Sequence, residues 1–281
     1  MDATHEGTPT MRILDRTAIT DFLGIGTIIA MALLALFILV APSIIVLMIS
    51  FDTRAFVTFP PQGFTFDWYL RVFEQRVLVE AMLNSLRVGI TVTLLCIILG
   101  LPTALVCVRG KFKGTTALSI FVLVPHMVPG IVLGVAVLFA GAIIGIGPSI
   151  ELQSISITVF VLAVMVRTIM SRLQRMDPAL EEAAANLGAT PFQTLRTITF
   201  PLLAPAILAG AVFTFIEGFD NISVAIFTHG FRDRPLPVEL LALVQTTNTP
   251  LVAAVSGIQI LLAVIALIAV AASIGLDGVN D

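Results

Sequence analysis

The sequence predicts an all-α membrane protein with six transmembrane helices. Three observations carry that prediction. Of its residues 58% are hydrophobic and only 12% are charged, its mean hydropathy is +1.06, and the apolar residues gather in blocks near the roughly 20 residues that a bilayer core requires. Soluble domains carry about 25% charged residues, so most of this chain has to face lipid or other buried helices. One set of packed spans explains the blocks better than separate soluble domains, and 1–281 is read as a single transmembrane domain.

The first span is placed at 22–48. It follows Arg12, Asp15, Arg16 and Asp21 and is too long for the apolar region of a cleaved signal, so it is expected to be retained. Residues 51–82 mix charges, aromatics and the pair Pro60-Pro61, which reads as an ordered outer segment whose Trp68 and Tyr69 suit a membrane interface. Spans two and three are placed at 84–107 and 116–142. Cys96 and Cys107 share the second span about 16 Å apart at 1.5 Å per residue, beyond disulfide reach.

Within the third span Pro125, Pro129, Gly130 and Gly134 interrupt the helical pattern. Backbone groups freed there need a neighbouring helix or a water-lined path, which suits a transport pathway and an ordinary kinked span alike. His126 has no Cys or His at ligand spacing and is read as a polar residue facing the bundle, so no metal site is predicted. The remaining spans are placed at 154–173, 203–229 and 250–274.

An even number of spans leaves both termini on one side. Nine of the 15 Lys and Arg residues fall on the side of the termini, Lys111 and Glu182, and six on the other. Basic loops favour the cytoplasm, so both termini are expected there and segment 51–82 in the periplasm. A net charge of −3 and a pI near 5.6 give no basic surface for nucleic acid.

Between spans four and five lies a stretch that neither spans nor looks disordered, 177–201. Asp177 suits a helix N-cap, Pro178 the first helical position, Glu181 and Glu182 the positive end of the dipole, and Gly188 a left-handed stop. Thr190 and Pro191 repeat the start signal, giving a second short helix to about Thr199, with Pro201 before the next span. A helix, a glycine turn and a helix form a knob that a partner's groove can grip. The same pattern also fits an amphipathic hairpin on lipid headgroups.

Glu182-Ala183-Ala184, three residues, Gly188, nine residues and Ile198-Thr199-Phe200-Pro201 closely resemble the cytoplasmic motif of binding-protein-dependent ABC importer permeases, with Phe200 where the family has Leu. The resemblance implies a type I ABC importer permease fold with a permease core over 80–275. It also implies that the loop forms coupling helices on an ATPase subunit, with Glu182 and Gly188 central to the contact and Asp177, Glu181, Ala183, Ala184, Ile198 and Pro201 completing the loop. The implied partners are a second permease in a heterodimer, two copies of a cytoplasmic ABC ATPase and a periplasmic solute-binding protein, at the bacterial inner membrane. Phe59-Pro60-Pro61-Gln62-Gly63-Phe64 with Trp68-Tyr69, and Gly218-Phe219-Asp220-Asn221, are similar to the second permease of spermidine/putrescine-type importers, whose relatives for opines, phosphonates and other small solutes look alike.

No phosphate-binding loop is present, because Gly110-Lys111 has Leu105 where the first glycine belongs and Phe112 where Ser or Thr belongs. ATP and Mg are therefore assigned to the partner ATPase, with no cofactor and no catalytic set in this chain. The fifth span carries Glu217 and Asp220 on one face with Thr214 and Asn221. An unpaired carboxylate in a span costs up to about 2.5 to 3.5 kcal/mol unless water, a partner or a cation faces it. One reading is a negative path for an amine, with Phe213 and Phe219 as cation-binding rings; the other is polar packing against a partner. A secondary transporter or channel is the rival from another class, and it predicts inverted repeats that the sequence does not display.

Overall fold

The computed structural model describes residues 11–111 and 113–274, with side chains from 25 to 268 apart from 112. The termini, and with them the expectation about the side on which they lie, fall outside the described residues. Among the described residues every regular element is helical, and five helices are long and apolar enough to cross a membrane, or six if one sharply bent pair counts as a span.

The first helix, α1 (Met11–Ser50), outruns its predicted span at both ends, and its apolar part begins at Ile25. Among the described residues it packs chiefly along α12 (Pro250–Ile274), and none of its most apolar stretch is buried within the chain. In water that surface would be costly; in hydrocarbon or against a second membrane protein it is not.

Three helices make the core: α3 (Arg76–Arg109), α6 (Ile150–Arg175) and α9 (Phe200–Asp220). Val88, Val92 and Cys96 of α3, Ile157, Val161, Met165 and Ile169 of α6, and Leu203 and Ile207 of α9 form one buried cluster. Small residues let the backbones approach, as van der Waals packing between membrane helices requires. A Cβ at Gly218 would lie 2.9 Å from Gly89 Cα, so α3 and α9 cross where neither can carry a side chain. The buried hydroxyls of Ser156 and Thr158 donate back to the Leu152 and Ser154 carbonyls, so neither hydroxyl is left unsatisfied in α6.

Two predicted spans are corrected. The third is α4 (Thr115–Met127) and α5 (Gly130–Ile143), bent by 102° at the intervening break. Pro125 and Pro129 remove donors around that break, which turns a kink into a bend of more than a right angle. The fifth span stops at Asp220, and 222–228 forms a separate helix, α10 (Ile222–Thr228), capped by Asn221 Oδ1 accepting from the Val224 N–H at 3.0 Å. The half-helices α5 and α10 pack on each other, with Gly130 against Ser223 and Gly134 against the Val224 backbone.

The outer segment is ordered, as expected. Its helix α2 (Asp67–Glu74) packs on α12, and Trp68 is buried instead of sitting at an interface, its indole N–H donating to the Asp52 carbonyl at 2.8 Å. The Tyr69 hydroxyl likewise turns inward to Ser50 Oγ at 2.7 Å. An unpredicted helix, α11 (Leu236–Thr246), starts after Pro235 and seats Leu236 against α3, its N–H donating to Ser85 Oγ at 2.9 Å.

Asp52 organises this segment. Its carboxylate accepts the Arg54 and Gln62 backbone N–H groups at 3.3 and 3.2 Å, and Arg54 Nε at 3.2 Å. Burial by itself raises its pKa, but those two N–H groups and the Arg54 guanidinium together hold it below the ordinary 3.8. A carboxylate with a depressed folded pKa stabilises fully above its unfolded value and loses that contribution as pH falls through the folded one. The emission of Trp68, the single tryptophan, should therefore hold steady down to about pH 4 and shift only in stronger acid. Asp52→Asn should abolish that acid transition, and the same transition surviving unchanged in this variant would count against the assignment.

Candidate functional site

The knob forms at the end of the bundle that carries Arg109. Its first helix, α7 (Ala179–Asn186), opens with Asp177 Oδ1 accepting the Ala179 N–H at 2.9 Å, while Pro178 already has helical dihedrals. Asp177 and Pro178 thus do what their types predict at a helix start. The helix ends at Gly188, whose φ is +88°, with the Gly188 N–H on the Ala185 carbonyl and the Ala189 N–H on the Ala184 carbonyl, both 3.0 Å. That double closure is a Schellman stop, and it needs the left-handed residue that glycine supplies.

The second helix, α8 (Pro191–Thr194), starts with a reciprocal cap. Thr190 Oγ1 accepts the Gln193 N–H at 3.3 Å, and Gln193 Oε1 accepts the Thr190 N–H at 2.8 Å. Here the expected second short helix is corrected, because the chain continues without a stop through a π turn, Leu195–Thr199, into α9, making one helical run Pro191–Asp220. Pro201 has no N–H, and in a regular α-helix its ring would strike the carbonyl of Thr197. The widened turn, closed by the Phe200 N–H on the Leu195 carbonyl, absorbs that clash and lets the helix pass.

The two adjacent acids of the motif have separate fates. Glu181 turns into the bundle: its Oε2 pairs with Arg109 Nε at 3.1 Å, and its Oε1 accepts the Thr199 hydroxyl at 2.9 Å. Glu182 is exposed and has no ion pair among the described residues. Around it the knob presents Ala183, Asn186, Leu187 and Phe192 to the outside, Leu187 at 89% and Phe192 at 70% exposure. Ala184 is buried under the turn, and Ile198 is half-buried at the foot of α9. Leu187 and Phe192 thus stand exposed on the same knob as this free carboxylate.

At the other end of α9, about 26 Å from Phe200 at 1.5 Å per residue, lie Glu217 and Asp220. Glu217 Oε2 accepts from Asn221 Nδ2 at 3.1 Å, and Asp220 Oδ1 accepts from Gln259 Nε2 of α12 at 2.8 Å. Glu217 is half-buried and Asp220 exposed, so neither acid is sealed in the core. The spacing keeps Phe213, 43% exposed, on their stripe. Phe219 is 6% exposed and clusters with Trp68 and Leu251, and with Phe215 and Gln259 it lines a small space beside Asp220. Thr214 turns into the core and donates to the Gly210 carbonyl at 3.0 Å.

Sequence reasoning did not find Arg109 or Thr199 as partners of the knob. A lone arginine at a span end reads as a positive-inside residue, and no local signal ties it to a carboxylate 72 positions on.

Residues 96–277 match the family of binding-protein-dependent transport system inner membrane components. The chain is 33% identical over 201 residues to the spermidine/putrescine transport system permease protein PotC of Haemophilus influenzae, covering 72% of this chain and 78% of that one. It is 29% identical over 229 residues to the putrescine transport system permease protein PotI of Escherichia coli strain K12, covering 79% and 81%. Its fold is similar to a chain of a bacterial alginate ABC transporter, solved with a periplasmic protein carrying an alginate pentasaccharide, at a TM-score of 0.69 and 17% identity over 91% of this chain and 94% of that one. Such a likeness speaks for the fold alone, that of a type I ABC importer permease. A two-helix knob at the foot of a bundle thus coincides with a family match over most of the chain, and the protein belongs to the binding-protein-dependent transport system inner membrane components.

Proposed function

We propose that this chain is one of two permeases in an ATP-driven importer that carries a small cation of the polyamine type from periplasm to cytoplasm. The observation that carries the reading is the knob: Glu182 and an apolar rim stand free on a turn fixed by Gly188, a shape suited to a groove on a cytoplasmic ATPase. The knob then faces the cytoplasm together with Lys111, and the segment around Trp68 faces the periplasm, in line with the excess of basic residues. ATP and Mg belong to two ATPase subunits, and a soluble binding protein delivers the solute. The whole of 1–281 acts as one transmembrane domain in the bacterial inner membrane.

The solute class follows from two supports. Relatives named for spermidine and putrescine cover most of the chain, and the stripe of Glu217 and Asp220 offers negative charge at the outer end of α9. Asn221 and Phe213 flank that stripe and would shape the path. The two acids need only guide a passing cation, because transit requires weak binding.

The test is reconstitution of the four-component complex in proteoliposomes, with ATP hydrolysis and uptake followed for spermidine, putrescine, an amino acid and an oxyanion. Polyamines should stimulate hydrolysis, and uptake should need ATP. Uptake by the purified chain alone without ATP would defeat the importer reading, and stimulation by the oxyanion only would defeat the solute class.

A further inference from the structure

Two open spaces flank the place where the knob meets the bundle. One, of about 470 Å³, lies between the end of α3, α7 and the π turn, bounded by Leu105, Ala189 and Leu195. The other, of about 440 Å³, is bounded by Lys111, Pro178 and Glu182. Arg109, Glu181 and Ala185 line both. The pair Arg109–Glu181 is therefore a bridge across a gap, and apolar packing does not replace it there.

That bridge has three anchors. Arg109 is the last residue of α3, a core span. Its Nε lies 3.1 Å from Glu181 Oε2 as an ion pair, and both Nε and Nη2 are shut off from solvent with no hydrogen-bond partner among the described residues. Glu181 thus supplies the counter-charge of a guanidinium two of whose nitrogens are shut off from water, on a side chain 29% exposed. The second oxygen of the same carboxylate accepts the hydroxyl of Thr199, which is 2% exposed and closes the π turn leading into α9. An ion pair from Arg109 and a charge-assisted hydrogen bond from Thr199 thus converge on one side chain.

Glu181 and Glu182 therefore divide two tasks that the sequence places side by side. We propose that Glu181 is the positioning residue that transmits displacement of the knob into the membrane: one carboxylate fastens α7 to α3 through Arg109 and to α9 through Thr199. When the knob is pushed, both spans move with it, and the far end of α9, which holds Glu217 and Asp220, responds. Without Glu181 the knob hangs from α6 through residues 176–178 and from α9 through a glycine turn and a widened helical turn, which can bend while the spans stay in place. This inference rests on the reading that the knob binds an ATPase subunit.

The experiment uses the complete complex in nanodiscs and needs no solute. On a background of Cys96→Ala and Cys107→Ala, a Phe213→Cys reporter is alkylated with a water-soluble maleimide, before and after trapping with ATP and vanadate. Binding of the ATPase subunit is titrated in parallel. With Glu181 intact the trapped state should change the alkylation rate about fivefold, the low end of typical coupling between distant sites. Glu181→Gln should bind the ATPase subunit with unchanged affinity yet lose that change. The charge exchange Arg109→Glu with Glu181→Arg should recover at least part of it, which a merely misfolded loop would not do. A rate change that persists in Glu181→Gln, or its absence with Glu181 intact, overturns the transmitting role alone. Loss of ATPase binding in Glu181→Gln makes it a docking residue instead, and failure of the unaltered knob to bind the ATPase subunit at all overturns the docking reading and this one together.

Discussion

Gly188→Pro should abolish transport while leaving the chain inserted and folded in the membrane. Gly188 holds φ at +88°, and its N–H closes onto the Ala185 carbonyl. Proline fixes φ near −65° and has no N–H, so the turn has to open and α8 has to leave its place relative to α7. A misfit of about 3 kcal/mol corresponds to roughly a hundredfold loss in the population of the correctly shaped knob. Uptake in the reconstituted complex should fall to background, with ATPase binding lost in the same step. Gly188→Ala separates the causes, because a Cβ there meets nothing within 4 Å. Its cost is the left-handed backbone alone, about 1 to 2 kcal/mol, so its defect should be partial. Normal transport by Gly188→Pro would show that the knob is not the coupling element.

The second large effect is expected from removing charge at the outer end of α9. Glu217→Gln keeps an acceptor for Asn221, and Asp220→Asn keeps one for Gln259, so the helix end should retain its contacts. What disappears is two negative charges on one stripe. At an effective dielectric constant near 20 a charge pair 4 Å apart is worth about 4 kcal/mol before desolvation is subtracted. A surviving 1 to 2 kcal/mol gives roughly a tenfold slower uptake of a dication. The measurement is spermidine uptake in proteoliposomes at matched yield of complex. Unchanged uptake in the double variant would leave the acids as structural ties between α9, Asn221 and α12, and would remove the electrostatic reason for a cationic solute.

Much of this was legible in the linear sequence because its causes are local. A run of apolar residues is a membrane helix wherever it folds, so the long helices lie close to their predicted places. Asp177, Pro178, Gly188 and the Thr190–Gln193 pair act through atoms no more than five residues away, and the knob's start, turn and restart follow from residue type. The spacing of Glu182, Gly188, Ile198 and Pro201 likewise needed no third dimension to be recognised as the family's motif.

Other features depend on who sits opposite. Pro201 signals a helix boundary to any local rule, yet the structure passes through it by widening one turn, because continuing the run lets Leu203 and Ile207 pack against α3 and α6. The prolines of the third span signal a break, but only packing of α5 on α10 sets it at 102°. Trp68 and Phe219 looked like surface rings by type and are core by position. Glu181 and Glu182 are neighbours of identical chemistry, and only the fold, by placing Arg109 and Thr199 on one side of α7, makes the first a tie and leaves the second free. The sequence by itself determined four of the six spans, the start and turn of the knob and the family, since backbone conformation and hydropathy are fixed by short-range forces. The tertiary structure decided which polar groups are paired, since a pairing depends on distances across the bundle that no spacing along the chain encodes.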